Sequence, residues 1–597
     1  MWKAGRGYAA EHCDLGPEMT GLGASNRGVA STVDAGRATS RRQRRLGDIP
    51  ALTGLRFVAA LFVALTHALG AVPGFVASDV LAGYLGNLAG MGMTMFFVLS
   101  GFVIHYNYRE AIESGGPAGY WQFFVARFAR LYPLYFALMV ASIVEGPYLR
   151  LLRHGGPEIV DDFLQAVPYY LTLTQAWAFQ IIGNNNLVYQ FSSNVAALSW
   201  SISAEWFFYL CYPLICLVLV RLRFPFGKAV MAVALSIIAI GAVLLIIDHR
   251  PQIDAYALRH YGQVASTEPR SENSLYTWIV YFSPYSRITE FILGVLTCGL
   301  YLDFRDKPVN SVERRLGPLA SLLALASLAA LHALMFEPTR SFPRMTQLHM
   351  SFGYALPVAF LIFSAARYGS SVARLLAWRP IVVAGEASYS FYFLHIVVVQ
   401  SFVAQGLMSW TPGAVAGTWL RIAGALAVSM VAALLSYRLF EMPARQWFRR
   451  VLLGRQHGAA FGPITRPLAS MSRAFVAAAL LGLPLAVIAL RPPPPITPVP
   501  EGTIDIVEAT YGRNCGAEPG NVTHRLAQAC SARESCGYDV DFLRTSSPPD
   551  GCAKDFRLQW RCSRAGQVHV QEVAPGTRKG EGSVAMDCRE RASADLR

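Results

Sequence analysis

Several things are missing from this chain of 597 residues, and each absence closes off a class of protein. It has no C-x2-C pair and no Cys/His cluster at ligand spacing, so a zinc site is not expected and no metal is assigned. It has no basic stripe interleaved with aromatics, so its net charge of +14 does not read as a nucleic-acid surface. Residues 1–48 are rich in Gly, Ala and Arg, end in Arg41-Arg-Gln-Arg-Arg45, and lack the apolar core of a secretory signal peptide. They read as a disordered basic cytoplasmic tail. No short internal repeat is visible. Cysteine is sparse through the first 500 residues, with Cys13, Cys211, Cys216 and Cys298 scattered.

What the chain does have is hydrophobic length. Hydrophobic residues make up 53% of it, and many apolar runs are long enough to cross a bilayer. Candidate spans fall at about 50–70, 88–106, 131–147, 198–219, 229–247, 285–302, 317–335, 349–366, 388–407 and 416–438, with a separate one at 474–490. Arginine-rich loops then orient them by the positive-inside rule. The loops holding Arg221 and Lys228, Arg305 to Arg315, Arg367 to Arg379 and Arg445 to Arg455 all fall on the cytoplasmic side if segment 164–180 does not cross. That segment reads as re-entrant or interfacial.

The last 85 residues hold Cys515, Cys530, Cys536, Cys552, Cys562 and Cys588. An even set in a small polar region reads as disulfides in an oxidising compartment. The predicted architecture is therefore an all-α polytopic membrane bundle, with a ten-helix core and one extra transmembrane helix, carrying a small disulfide-bonded extracytoplasmic domain of α+β or mostly-β structure. The boundaries are 1–48 tail, 49–446 membrane domain, 447–473 cytoplasmic linker, 474–490 eleventh helix, 491–501 Pro-rich linker and 502–597 six-cysteine domain. The predicted location is the bacterial inner membrane, multi-pass, with the last domain in the periplasm or extracellular space.

Ionisable groups inside apolar spans are costly and usually face a cavity or a substrate path. Arg56 and His67 lie eleven residues apart in the first span, close to three helical turns, and so share a face. A snorkelling Arg and a hydrogen-bonded His are the alternative. The second span holds Phe96-Phe-Val-Leu-Ser100-Gly101-Phe102, where Ser100-Gly101 permits close helix packing or a local break. Arg127 and Arg130, expected at the start of the third span, could hold phosphates or only obey the charge rule. The fourth span holds Trp200-Ser-Ile-Ser-Ala-Glu205 with Tyr209 one turn on. Later come Arg287-Ile-Thr-Glu290, Ser388-Tyr-Ser-Phe-Tyr-Phe-Leu-His395 and Glu441-Met-Pro443. Taken alone, His395 also fits a satisfied core histidine.

Together these motifs, in this order over about 50–445, resemble the acyltransferase-3 family of membrane O-acyltransferases. One departure is that Ala126 stands where the family often has an Arg paired with Arg127. The resemblance implies transfer of an acyl group, usually acetyl, from acyl-CoA to a hydroxyl of a lipid-linked or exported saccharide, with no bound cofactor and the lipid bilayer as partner. It implies His67 as base or transient acyl carrier, Arg56 on the donor or its developing oxyanion, and Glu205 as the third catalytic group. Arg127 and Arg130 would hold CoA phosphates, and Ser100, Tyr209 and His395 would contact substrate. A transporter or flippase, a sensor of acylated glycans, and an O-acyltransferase acting on a small secreted metabolite are the alternatives.

Residues 502–597 are similar to the galactose/rhamnose-binding lectin domain of the sea-urchin-egg-lectin type. The likeness rests on Ala509-Thr-Tyr511-Gly-Arg513, Asp550-Gly-Cys552-Ala-Lys554 and the segment ending in Cys562, without the usual leading Cys. It implies a carbohydrate ligand held by Glu508, Tyr511, Arg513, Asp550 and Lys554. A disulfide-stapled spacer is the alternative.

Overall fold

The computed structural model describes residues 49–143, 157–182, 185–189, 198–222, 224–261, 265, 273–336, 343–408 and 414–453 of a membrane unit. Of a second unit it describes 503–515, 520, 522–523, 526, 530, 534–539, 554–562, 567–575 and 583–588. The tail 1–48, the eleventh helix expected at 474–490, the Pro-rich linker and Asp550 lie outside the described residues.

The membrane unit is helical apart from a short antiparallel ladder that pairs Ile181–Ile182 with Asn185–Asn186. Helix α1 (Pro50–Gly70) starts on a proline, whose fixed φ and missing N–H suit a first helical position. It is followed by α2 (Ala89–Ser114), α3 (Gly116–Ile143), α4 (Pro157–Leu171), α5 (Trp200–Leu219) and α6 (Pro225–Asp248). Next are α7 (Pro284–Phe304), α8 (Ser311–Met335), α9 (Ala355–Arg367) and α10 (Arg379–Glu386). The unit closes with α11 (Ser388–Ala404), α12 (Val415–Ser436), a π-helical turn at Tyr437–Glu441, and α13 (Met442–Leu453).

Burial separates centre from rim. The most apolar stretch of α2 is 83% buried and that of α6 only 22%. Helix α6 leaves Ile237 and Ile238 exposed, as a face solvated by lipid would. Helix α2 crosses α7 at backbone contact. A Cβ on Gly101 would lie 2.0 Å from the Phe291 carbonyl oxygen, and one on Gly294 would lie 2.0 Å from that of Val98. Only glycine fits at either position.

Seven helical stretches among the described residues are long and apolar enough to span a bilayer, or eight if the α10–α11 pair, bent by 75°, counts as one. The ten-span expectation is thus not reached, for two physical reasons. Arg287 and Glu290 in the first turns of α7 lower its hydropathy, and α9 has only 13 residues. Segment 164–180, expected to be re-entrant or interfacial and not to cross, is not one continuous helix, since α4 ends at Leu171 and Leu173 takes a left-handed φ of 60°. Nor does the third helix begin near 131. It begins at Gly116, so Arg127 and Arg130 sit in mid-helix.

The second unit is built of strands. Strand β1 (Ile504–Tyr511) alternates apolar and polar residues on either side of a bulge between Ile506 and Glu508. Also present are β2 (Ser535–Asp539), β3 (Phe556–Cys562), β4 (His569–Val573) and β5 (Ser583–Asp587). β1, β3 and β4 form an antiparallel sheet in that order, and β2 pairs antiparallel with β5. Ile504, Ala509, Leu526, Phe556, Leu558 and Met586 are buried between them. Disulfides join Cys530 to Cys536 and Cys562 to Cys588, and Cys515 is also disulfide-bonded.

Candidate active site

A small, partly open cavity of about 60 Å³ lies within the helical unit. Helix α1 supplies Arg56 to its lining, α2 supplies Ser100, α3 supplies Arg127 and Arg130, and α5 supplies Glu205 and Tyr209. Met93, Phe96, Phe97, Leu131, Ile202, Tyr389 and Tyr392 complete an apolar and aromatic wall. Such a pocket, mostly apolar with a few convergent polar groups, is the usual form of a small-molecule site.

Arg127 is 5% exposed. Its guanidinium donates to the Tyr108 hydroxyl at 2.7 Å and lies 4.7 Å from the Tyr108 ring centroid and 5.8 Å from that of Tyr209. No ion pair joins it to a carboxylate, and its Nε has no hydrogen-bond partner, among the described residues. Glu205 accepts hydrogen bonds at one carboxylate oxygen from Ser100 Oγ at 3.0 Å and from the Tyr209 hydroxyl. It is held by hydroxyls, and no ion pair involves it among the described residues. Tyr392 exchanges a hydrogen bond with Ser201 at 2.8 Å, and the Tyr389 hydroxyl donates to the Leu131 carbonyl at 2.6 Å, so two aromatic residues of the lining are fixed in place.

His67 and His395 are not in the cavity lining. His67, half-buried on α1, meets fully buried His395 on α11, Nδ1 to Nε2 at 2.9 Å. The His395 ring packs 6.3 Å from that of Tyr392, a residue of the cavity lining. His395 therefore stands one side chain back from the lining. Farther out, Arg287 and Glu290 of α7 are wholly buried and ion-paired at 3.3 Å. Glu290 accepts from Thr94 Oγ1 at 2.8 Å and from the Phe352 backbone N–H at 3.1 Å, which anchors a residue in the left-handed region at φ 57°. The Arg287 guanidinium lies 5.0 Å from the ring centroid of Phe97, so this pair backs one wall of the cavity.

Sequence reasoning missed Tyr108, the residue that receives Arg127. It falls just past the expected end of the second span at 106, whereas α2 runs on to Ser114.

In the second unit, Tyr511, Arg513 and Lys554 share one end of the sheet. Lys554 Nζ lies 6.0 Å from the Tyr511 ring centroid, and Gly512, at φ 84°, donates to the Asp555 carbonyl at 2.7 Å. Arg513 is exposed and Glu508 half-buried, the latter accepting from Thr510 Oγ1 at 3.3 Å.

The sequence profile of an acyltransferase domain matches residues 49–438, which hold every cavity residue named above. The chain is 28% identical over 430 residues to the acyltransferase MdmB of Streptomyces mycarofaciens, covering 70% of this chain and 96% of that one. It is 22% identical over 403 residues to the O-acetyltransferase OatA of Staphylococcus aureus, covering 67% of this chain and 57% of that one. The chain thus spans less than two thirds of the length of OatA. No solved structure matches. Apolar helices and family agree on a multi-pass membrane protein. The chain belongs to the acyltransferase-3 family and is an O-acyltransferase.

Proposed function

We propose that the chain transfers an acyl group, acetyl in the first instance, from acyl-CoA to a hydroxyl of a cell-surface or exported glycan. Arg127 carries this reading. Arg127 is buried and makes no direct ion pair among the described residues, Glu205 on the same cavity attracting it only at longer range, so an added anion would offset the cost of its burial. Arg130 and Arg56 line the same cavity and add to the demand for negative charge. A phosphorylated donor meets it, because guanidinium forks match phosphate oxygens. The aromatic wall then suits the uncharged arm and thioester of acyl-CoA.

In the reaction, the acceptor hydroxyl gives its proton to His67 as its oxygen attacks the thioester carbonyl. Arg56, about three helical turns from His67 on α1, orients the donor from the cavity lining. The thioester C–S bond breaks as the new C–O bond forms, and the proton passes to the departing sulfur. Glu205, acting through Ser100 and Tyr209, fixes the cavity wall beside the donor. A cytoplasmic approach of acyl-CoA to the arginines fits the basic loops read as cytoplasmic, and the further span expected at 474–490 would leave the second unit outside. There Tyr511, Arg513 and Lys554, with Glu508 and Asp550, bind saccharide and raise the local acceptor concentration.

The test is CoA release from acetyl-CoA by protein purified into nanodiscs, with surface polysaccharide of the host as acceptor. Wild type releases CoA only with the polysaccharide, while Arg56→Ala and His67→Ala fold normally and release none. Transport of acetyl-CoA or glycan without CoA release would replace the enzyme reading with a carrier. Release supported only by a small secreted metabolite would replace the glycan acceptor.

A further inference from the structure

We propose that His395 is the positioning residue of the site, fixing the tautomer and aim of His67. The inference rests on the acyl-transfer reading above and adds a residue that acts through another, without touching substrate.

The hydrogen bonds assign the protons. His395 Nδ1 lies 3.1 Å from the Phe391 carbonyl oxygen, four residues back on α11. A carbonyl has no proton to give, so Nδ1–H of His395 is the donor. A neutral imidazole carries one N–H, which leaves His395 Nε2 as an acceptor. The atom facing it at 2.9 Å is His67 Nδ1, which must therefore carry the proton. His67 Nε2 is left with its lone pair, the form a general base needs.

Ring geometry supports a directed bond. The two planes differ by 9° and the centroids are 5.2 Å apart, while the bonded nitrogens are only 2.9 Å apart. The nitrogens therefore lie between the rings, which sit edge to edge in nearly one plane. N–H and lone pair point at each other, as a strong hydrogen bond requires. His395 is wholly buried and held by α11's own backbone, so it cannot swing. A carboxylate often does this work for a catalytic histidine. Here an uncharged ring does it, at lower desolvation cost inside a bilayer.

The step balances within the site. As the acceptor oxygen bonds to the acyl carbon, its proton moves to His67 Nε2. The imidazolium so formed is steadied through Nδ1–H by the His395 lone pair, and the proton then leaves with the CoA sulfur. His395 neither gains nor loses a proton.

The experiment compares His395→Phe and His395→Gln in nanodiscs. Phe keeps the ring without an acceptor, and Gln returns an amide oxygen near the Nε2 position. His395→Phe is expected to lower kcat by about 100-fold, the scale of a misoriented general base, with KM for acetyl-CoA moved by no more than about twofold. His395→Gln recovers at least about a tenth of wild-type kcat. Full kcat in His395→Phe, or a raised KM at unchanged kcat, overturns the proposal. The second readout needs no turnover: nitrogen-15 spectra of histidine-labelled protein, with the His67 signals found by their absence in His67→Gln. The proposal requires His67 protonated at Nδ1 in wild type, and a shift toward Nε2–H in His395→Phe. An Nε2–H form in wild type overturns it. If wild type releases no CoA, the acyl-transfer reading fails and the tautomer measurement still decides the pairing.

Discussion

Arg127 and Arg287 are both buried guanidiniums in the same helical unit, and each lies over two aromatic rings. They differ in what balances the charge. Arg287 has Glu290 three residues on, and one Glu290 oxygen accepts from Thr94 and the Phe352 N–H. Arg127 has a phenol and an open cavity that Glu205 also lines. Each guanidinium keeps nitrogens without a hydrogen bond among the described residues, Nε in Arg127 and Nε and Nη2 in Arg287. What separates them is a direct carboxylate partner for Arg287 and a cavity beside Arg127. Burial of charge therefore does not by itself mark a functional residue; the opening onto a cavity without a direct ion pair is the difference here.

The comparison breaks most directly at Glu290. Glu290→Ala leaves Arg287 buried and unpaired, which costs roughly 3–5 kcal/mol. The expected result is loss of the folded peak in detergent size-exclusion chromatography, and a normal thermal midpoint would show that this pair is dispensable. Arg127→Met should do the opposite for stability. Removing an uncompensated cation raises the thermal midpoint, while KM for acetyl-CoA rises by about 10–100-fold, the value of hydrogen bonds to a charged group at about 1.5–3 kcal/mol. S-acetylpantetheine, which has no phosphates, should show no such rise. A midpoint that falls as in Glu290→Ala would make Arg127 a second structural cation. Ser100→Ala, which takes one donor from Glu205, should lower kcat/KM by about fivefold, near 1 kcal/mol. Unchanged kinetics would leave Tyr209 as the hydroxyl that matters. The smallest effect belongs to Lys554, the same cation-over-ring arrangement in the strand unit. Lys554→Ala in the full chain should reduce retention on immobilised host polysaccharide by about two- to fivefold, a cation–π contribution of about 0.5–1 kcal/mol. Equal retention would favour a spacer over a sugar-binding domain.

Six cavity residues could be picked out in the sequence because ionisable and hydroxyl groups stand out against apolar spans: Arg56, Ser100, Arg127, Arg130, Glu205 and Tyr209. Their convergence could not be read, since it depends on how α1, α2, α3 and α5 cross. Pairing of His67 with His395 was hidden by 328 residues of separation and by the fact that a lone histidine on an apolar helix looks like packing. Hydropathy misjudged the ends of α2 and α3, because both continue as amphipathic helix past their most apolar stretch, and Tyr108 was lost with that error. In the second unit, alternation over 503–511 was readable as a strand because its period is two. The pairing of six cysteines was not, since they allow fifteen connectivities.

The crossing of Gly101 and Gly294 has a consequence for substrate selection. Beside Ser100, helices α2 and α7 touch through main chain, and main chain has no rotamers with which to yield. That flank of the cavity behaves as a fixed jaw. Room for a longer or bulkier acyl chain has to come from the opposite flank, where Leu131 and Ile202 on α3 and α5 carry no hydrogen bond that fixes their side chains. Drift in those two side chains can retune which acyl group is accepted, while the glycine pair stays unchanged.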